Sequence, residues 1–68
     1  EQIALVHAAL DLLSDEHRAI LVLREMQDAS YEDIAAILDI NIGTVRSRLS
    51  RARGQLKQHL EELDGSQL

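Results

Sequence analysis

Apolar side chains recur along the first part of the chain at the spacings of an α-helix. The opening series is spaced by three and four residues and consists of Ile3, Val6, Leu10 and Leu13, widened by Leu5, Ala9 and Leu12. Ser14 follows, and its hydroxyl can cap a second helix whose first turn holds Asp15 and Glu16. Residues 19–23 are apolar on every side, which is typical of a helix packed by several neighbours. We therefore predict that the second helix forms the centre of the core.

A short third helix is predicted after the polar break at residues 27–29. Ser30 and Asp33 form a capping-box pattern that opens this helix, with Asp in place of the usual Glu. Its apolar positions are Ile34, Ala35, Ile37 and Leu38. The helix ends at residues 39–41, because Asp39 tolerates the backbone conformation that a tight turn requires.

A long fourth helix is predicted after this turn, with Asn41 as its cap. Its apolar series is Val45, Leu49, Ala52, Leu56, Leu60 and Leu63. Acidic side chains are unfavourable at the negative end of the helix dipole, so we expect fraying from about Glu61 onward. Residues 65–68 are expected to form a tail.

The composition agrees with one small all-α domain. The chain has 68 residues, 46% apolar and 28% charged, with no Cys, no Pro and Tyr31 as its one aromatic residue. This combination favours helices over a sheet and excludes disulfides and thiolate metal sites. We predict a four-helix domain at residues 1–64 that contains a helix-turn-helix, at about residues 30–53, and no wing.

No apolar run reaches the roughly 20 residues of a membrane span. Because the chain opens with Glu1 rather than Met, we expect a fragment of a longer protein.

The charge is distributed unevenly along the chain. The net charge is −5, yet residues 40–60 carry five basic side chains and no acidic one, whereas residues 1–39 carry nine acids and two bases. The five bases are Arg46, Arg48, Arg51, Arg53 and Lys57. A merely solvated helix face usually mixes both signs, so this segregation favours an anionic partner.

The basic helix also has an outer face of small residues. At 100° per residue, the apolar series up to Leu56 lies on one side and four small residues lie opposite. These four, which we call the small-residue stripe, are Gly43, Ser47, Ser50 and Gly54. Arg46 and Arg51 flank it. Small side chains allow a helix to approach base edges in the major groove, where Ser can hydrogen-bond and Arg can reach phosphate or guanine. Simple solvent exposure of the stripe is the alternative.

Three other polar residues of this helix have different expected roles. Arg48 and Arg53 lie nearer the core boundary, where we expect them to pair with acids such as Glu32 or Asp33, or to extend toward the backbone. Thr44, in the first turn, can contact a phosphate through its hydroxyl.

Three strings of residues resemble region 4 of bacterial sigma factors, most closely the extracytoplasmic-function group of the sigma-70 family. The strings are Leu21–Glu25, Ser30–Ala35 and Gly43–Arg53, and the resemblance covers about residues 8–63. It implies a cytoplasmic, helix-turn-helix module whose second motif helix enters the major groove of the −35 promoter element. It also implies a surface that docks on the β flap of RNA polymerase.

The resemblance also implies residue roles. It places Arg46, Ser47, Ser50 and Arg51 against DNA in the recognition helix, and it makes Arg24 and Tyr31 phosphate contacts from outside that helix. Without the resemblance, Arg24 reads as a cation near a helix C-terminus and Tyr31 as a half-buried core residue. Two positions depart from the family pattern. Asn41 replaces a frequent Pro or Ser, which preserves a helix start, and Ser50 replaces a frequent aromatic or His, which alters the expected promoter preference.

Catalysis and metal binding have little support in the sequence. His7, His17 and His59 share no metal-ligand spacing, and no nucleophile lies beside a base. We therefore expect neither enzymatic activity nor a cofactor, metal or small-molecule substrate.

Two other functions remain open. The first is the helix-turn-helix output domain of a response regulator, although the string from Ser47 to Arg53 departs from that pattern. The second is a protein-interaction module in which Leu56, Leu60 and Leu63 form a helix–helix seam. An anti-sigma protein is a partner of this kind that the resemblance allows.

Overall fold

The computed structural model describes residues 2–65, without the side chain of Gln2, and it consists of helices joined by short turns. The elements are α1 (Gln2–Asp11), α2 (Asp15–Leu21), a π-helical segment (Val22–Met26) that continues α2, α3 (Tyr31–Leu38) and α4 (Ile42–Gly65). The described residues include no strand. The predicted all-α, four-helix class with a helix-turn-helix is confirmed, the motif being α3, a three-residue turn and α4. No helix within residues 2–65 has the length and apolarity to span a bilayer.

Three side chains begin helices as the sequence predicts. Ser14, Ser30 and Asn41 precede α2, α3 and α4, and each side-chain oxygen accepts a hydrogen bond from the backbone N–H three residues ahead. The three distances are 3.3, 3.0 and 2.8 Å in chain order. Each bond satisfies one of the N–H groups that a helix start leaves without a partner.

The turn between α3 and α4 depends on a left-handed residue. Asp39 has φ 57° and ψ 50°, the conformation that its short polar side chain was predicted to tolerate. The N–H groups of Asp39 and Ile40 both donate to the Ala35 carbonyl, and this closes the end of α3. The chain can therefore reverse direction within three residues and place α4 against α3.

The π-helical segment was not expected from the sequence. It shows the i to i−5 bonding of a widened turn, in which the Gln27 N–H donates to the Val22 carbonyl at 3.1 Å. Asp28 then adopts a second left-handed conformation, φ 54°, and the chain is free to enter α3. Periodicity of apolar positions reports a helix here but does not distinguish the wider turn from an ordinary one.

The core is centred on α4 rather than on α2 as predicted, because α1, α2 and α3 all pack against α4, and within residues 19–23 only Ile20 and Leu21 are fully buried. The five largest fully buried side chains of the core come from α2, α3 and α4, and they are Ile20, Leu21, Ile34, Val45 and Leu49. Ala52 is also buried and Leu56 is half-buried, so α4 turns the expected face inward. Burial of these apolar side chains supplies most of the folding free energy.

Two expectations about helix ends are wrong. Ile3 and Leu12 were placed on the buried face of the first helix, but they are 67% and 57% exposed. Leu12 lies beyond the end of α1 at Asp11, and Ile3 lies before Val6, where the contact of α1 with the core begins. The fourth helix does not fray at Glu61 but continues to Gly65, because α1 packs along it. Gly65 thus belongs to the helix, and the rest of the expected tail, residues 66–68, lies outside the described residues.

Candidate nucleic-acid interface

The small-residue stripe lies on the exposed side of α4. Gly43, Ser47, Ser50 and Gly54 are all exposed, opposite the buried Val45. A side chain added at Gly54 would meet nothing within 4 Å, and one at Gly43 would meet only the Asn41 amide oxygen, at 3.3 Å. The stripe is therefore an open surface onto which another molecule can be brought close to the helix backbone.

The arginines of α4 fall into two groups. Arg46 and Arg51, beside the stripe, are exposed, and neither makes an ion pair or side-chain hydrogen bond with any residue in the described range 2–65. Arg48 and Arg53, nearer the core boundary, both pair with acids. Within residues 2–65, the α4 arginines left available for a partner are thus the two that border the stripe, and Lys57 of the same helix is also exposed and unpaired.

The structural role expected for Arg48 and Arg53 is present, but the expected acids are wrong. Arg48 Nη2 lies 3.7 Å from Glu16 Oε2, and Arg53 Nε donates to Glu25 Oε1 at 2.9 Å. Glu32 and Asp33 of α3 were suggested instead. The partners differ because α2 and its π-helical continuation, rather than the first turn of α3, lie along both edges of α4. The hydrogen bond to Glu25 raises the pKa of the Arg53 guanidinium above its ordinary value, although burial opposes this, and the Tyr31 hydroxyl adds to the rise.

The first turn of α4 holds Thr44 and Ser47 in fixed positions. Thr44 is half-buried, and its N–H is held by the Asn41 cap at 2.8 Å. The Ser47 hydroxyl donates to the Thr44 carbonyl at 3.2 Å, so its oxygen retains lone pairs that point away from that bond. In this conformation Ser47 offers an acceptor to a partner, for example to a base amino group.

Arg24 and Tyr31 form a separate pair outside α4. Arg24 Nη1 donates to the Ala29 carbonyl at 2.9 Å, and its guanidinium carbon lies 5.1 Å from the centre of the Tyr31 ring. Both side chains are half-buried, and Tyr31 packs against the core. Arg24 thereby ties the π-helical segment to the start of α3. A guanidinium has five N–H donors, so this arrangement leaves donors for a phosphate.

The sequence did not reveal which side chains of the second helical unit contact the side chains of α4. Glu16 and Glu25 lie in different turns of the second helical unit. Glu25 ends the first string that carries the resemblance, but nothing in the sequence marks either acid as the partner of an arginine. His17 Nδ1 shares a hydrogen bond of 2.7 Å with Gln55 Oε1, again between α2 and α4. Their partners are 28 to 38 residues away, so only the way in which the helices cross brings them together.

The described residues show no metal-binding cluster. Within residues 2–65, no group of three or more His, Cys, Asp or Glu side chains is placed to hold an ion. His17 contacts Gln55, and His59 Nδ1 lies 3.5 Å from Glu62 Oε1 on the same helix.

Comparison with known proteins gives one family. The model of the family described as sigma-70, region 4 matches residues 3–56. The chain is 49% identical over 55 residues to the ECF RNA polymerase sigma factor SigE of Mycolicibacterium smegmatis, a match that covers 81% of this chain and 21% of that protein. It is 43% identical over 60 residues to the RNA polymerase sigma-H factor of Pseudomonas aeruginosa, covering 88% and 31%.

A third relative is matched over similar fractions of the two chains. The ECF RNA polymerase sigma-E factor of Escherichia coli K12 is 41% identical over 59 residues, covering 87% of this chain and 31% of its own length. The chain thus spans between about a fifth and a third of the length of these curated relatives. The matched range includes α2, α3 and the part of α4 that carries the small-residue stripe.

Proposed function

Because the chain belongs to the region 4 family of the sigma-70 factors, we propose that it recognises the −35 element of bacterial promoters within the RNA polymerase holoenzyme. The observation that carries this proposal is the division of the α4 arginines. Those at the core boundary are paired within the chain, whereas Arg46 and Arg51 have no ion-pair partner among residues 2–65 and border an open stripe of small residues. A surface with this charge and shape suits the major groove of duplex DNA.

Each residue of this surface has a proposed role in DNA recognition. The stripe brings α4 close to the base edges, where the Ser47 and Ser50 hydroxyls form hydrogen bonds. Arg46 and Arg51 contact phosphates on either side or donate to guanine. Thr44 and the N–H groups at the start of α4 meet a phosphate at one edge of the groove.

Arg24 and Tyr31 extend the proposed contact beyond α4. Arg24 is already held against the Tyr31 ring and the Ala29 carbonyl, so a phosphate would meet a guanidinium whose orientation is fixed before binding. Fixing a long side chain in advance lowers the entropy lost on association. We assign this pair to the DNA backbone, where contacts position the module without reading sequence.

The RNA polymerase core is the second proposed partner, through its β flap. An apolar groove lies between α1 and the end of α4, with Leu5, Val6 and Leu60 on its walls and Glu61 and Asp64 at its rim. Leu60 lies six residues, about 9 Å along the helix, beyond the last stripe residue, so DNA on the stripe would leave the groove accessible. The same groove would suit an anti-sigma protein, which would then compete with polymerase.

The test of DNA recognition is selection of bound duplexes from a random pool, followed by affinity measurements on the selected duplex. We expect Arg46→Ala and Arg51→Ala each to weaken binding by about 5- to 100-fold, as for loss of a phosphate or guanine contact. The double variant should bind no selected duplex while its circular dichroism remains that of the parent.

Arg18→Ala is the matched control, because it removes one positive charge from α2, where Arg18 pairs with Asp15. Its effect on DNA affinity should be small. Equal losses in all three single variants would mean that only total charge matters, and loss of helicity in the Arg46 and Arg51 variants would assign those residues to the fold. Either result would overturn the proposed function.

A further inference from the structure

Two arginine side chains project from α4 on opposite sides of its buried face. At 100° per residue, Arg48 and Arg53 each lie about 70° from the centre of the face formed by Val45, Leu49 and Ala52, one to either side. Both are paired with acids, whereas Arg46 and Arg51, farther round the helix, pair with no acid in the part of the chain that the structure describes. The paired positions therefore bracket the buried face symmetrically.

The two acids come from opposite ends of one helical unit. Glu16 is in the first turn of α2 and Glu25 is in the π-helical segment that ends it. On the Glu16 side, the hydrogen bond between His17 and Gln55 adds a second polar contact at 2.7 Å. The unit thus crosses α4 with polar contacts at both edges and with the buried Ile20 and Leu21 between them.

These contacts are poorly placed to stabilise the fold, since Glu16 is 73% and Glu25 50% exposed in their side chains. Ion pairs between exposed groups contribute little to folding because water screens them. They are well placed to resist rotation. Apolar packing is non-directional, so the buried face alone allows α4 to roll slightly, whereas polar contacts on both edges oppose rolling in either sense.

Small rotations of α4 about its own axis displace the side chains on its outer side. Side-chain tips lie about 5 to 6 Å from the helix axis, so a rotation of about 10° moves them by about 1 Å. Hydrogen bonds to base edges have a distance range of only about 0.5 Å. A few degrees therefore decide whether Ser47 and Ser50 meet their partners.

We propose that Glu16 and Glu25 are positioning residues that fix the rotation of α4 about its own axis, acting through Arg48 and Arg53. They thereby determine which side of the recognition helix faces the bases, and they contribute to sequence discrimination without touching DNA. The inference rests on the proposed function, since it concerns how α4 is offered to the groove.

The experiment compares the parent chain with the double variant Glu16→Gln, Glu25→Gln, which keeps side-chain shape but removes both ion pairs. Without DNA, residual dipolar couplings of the amide groups report the orientation of α4 relative to α2. With DNA, the measured quantity is the affinity ratio between the selected duplex and the same duplex with its selected bases shuffled.

We expect the variant to keep its helix content while the α4 couplings no longer fit the parent orientation. Its affinity ratio should fall by about tenfold, the size of one mismatched base pair. Affinity for the shuffled duplex should stay equal or rise, because two negative charges are gone and two arginines are released.

Two further variants separate position from charge. Asp11→Asn with Glu32→Gln removes two acids that are exposed and make no ion pair within the described residues, so the ratio should be unchanged. The exchange Glu25→Arg with Arg53→Glu keeps the net charge and reverses one pair, and it should retain a ratio within about twofold of the parent. A ratio that falls in the Asp11→Asn, Glu32→Gln variant as far as in the Gln variant would assign the effect to charge. A ratio that falls as far in the exchange variant would show that a retained ion pair does not preserve discrimination, and either result would overturn the inference.

The remaining outcomes are also decisive. Unchanged couplings together with an unchanged ratio in the Gln variant would overturn the positioning role, and so would a uniform gain in affinity for both duplexes. If the parent selects no duplex at all, the proposed function fails, and the couplings measured without DNA still decide whether the two acids orient α4.

Discussion

The role of each residue in α4 depends on its angle around the helix. Val45, Leu49 and Ala52 face the core, and the small-residue stripe faces outward. Arg48 and Arg53 lie between these faces and reach back to acids of the second helical unit. A difference of a few tens of degrees around the helix axis separates the arginines that pair with acids from those that do not pair within the described residues. The spacing of the residues in the sequence already sets these angles.

Leu49 provides the sharpest test of the core at this scale. It is 1% exposed, so Leu49→Ala should lower the free energy of unfolding by about 2–5 kcal/mol through lost burial and a residual cavity. A domain of this size has only about 3–10 kcal/mol in total, so the substitution should remove a large fraction of its stability. Chemical denaturation followed by circular dichroism measures the change.

Leu12→Ala is the matched control. Leu12 is 57% exposed, so the same substitution should change the free energy of unfolding by less than about 0.5 kcal/mol. Equal losses at both positions would show that Leu12 is buried in solution and that the end of α1 is longer than described.

Residue-scale prediction from sequence worked for burial in α4, failed for burial at Ile3 and Leu12 of the first helical run, and failed for the partners of the arginines. The inward face of α4 follows from the spacing of its apolar residues, because that period is a local property of a helix. The acids of Arg48 and Arg53 could not be predicted, since Glu16 and Glu25 approach α4 only through the way in which α2 crosses it. The spacing of apolar residues predicts the angle of a side chain around its helix. The way in which two helices cross determines which residue that side chain contacts.

At the scale of elements, the starts of helices were easier to predict than their ends. Ser14, Ser30 and Asn41 can be identified because a short polar side chain before an amphipathic run has one specific bond to make. The end of α4 was misjudged because the unfavourable dipole contribution of its acids is small beside its packing on α1. The π-helical segment was missed because an i to i−5 bond leaves no mark on the apolar period.

Asn41→Ala tests the contribution of one cap to the recognition helix. Loss of the bond to the Thr44 N–H should lower the free energy of unfolding by about 1 kcal/mol. Asn41→Ser should recover most of this loss, since a Ser hydroxyl can accept the same hydrogen bond. Thermal unfolding of the parent and the two variants makes the comparison, and an Ala variant as stable as the parent would show that the cap is dispensable.

At the scale of the whole molecule, the charge is separated along the chain. The net charge of −5 combines a strongly acidic amino-terminal part with a basic α4. The fold brings some of these charges together, at Glu16 with Arg48 and at Glu25 with Arg53, so that intramolecular pairing uses part of the positive charge. The rest is concentrated beside the small-residue stripe.

This distribution predicts weak and salt-dependent binding to DNA by the 68-residue chain alone. With four or five phosphate contacts, the logarithm of the affinity should fall against the logarithm of the salt concentration with a slope of roughly −4. Fluorescence anisotropy with a selected duplex at several salt concentrations gives the slope. Affinity that does not change with salt would contradict a complex based on phosphate contacts.

The opposite faces of α4 have a consequence for how such modules diversify. Side chains that form the core and side chains that face outward lie on opposite sides of one helix of 24 residues. Substitutions at Gly54, where an added side chain meets nothing, or at Ser50 leave the interior intact. Copies of this domain can therefore change their outer surface through a few substitutions while inheriting an unaltered scaffold.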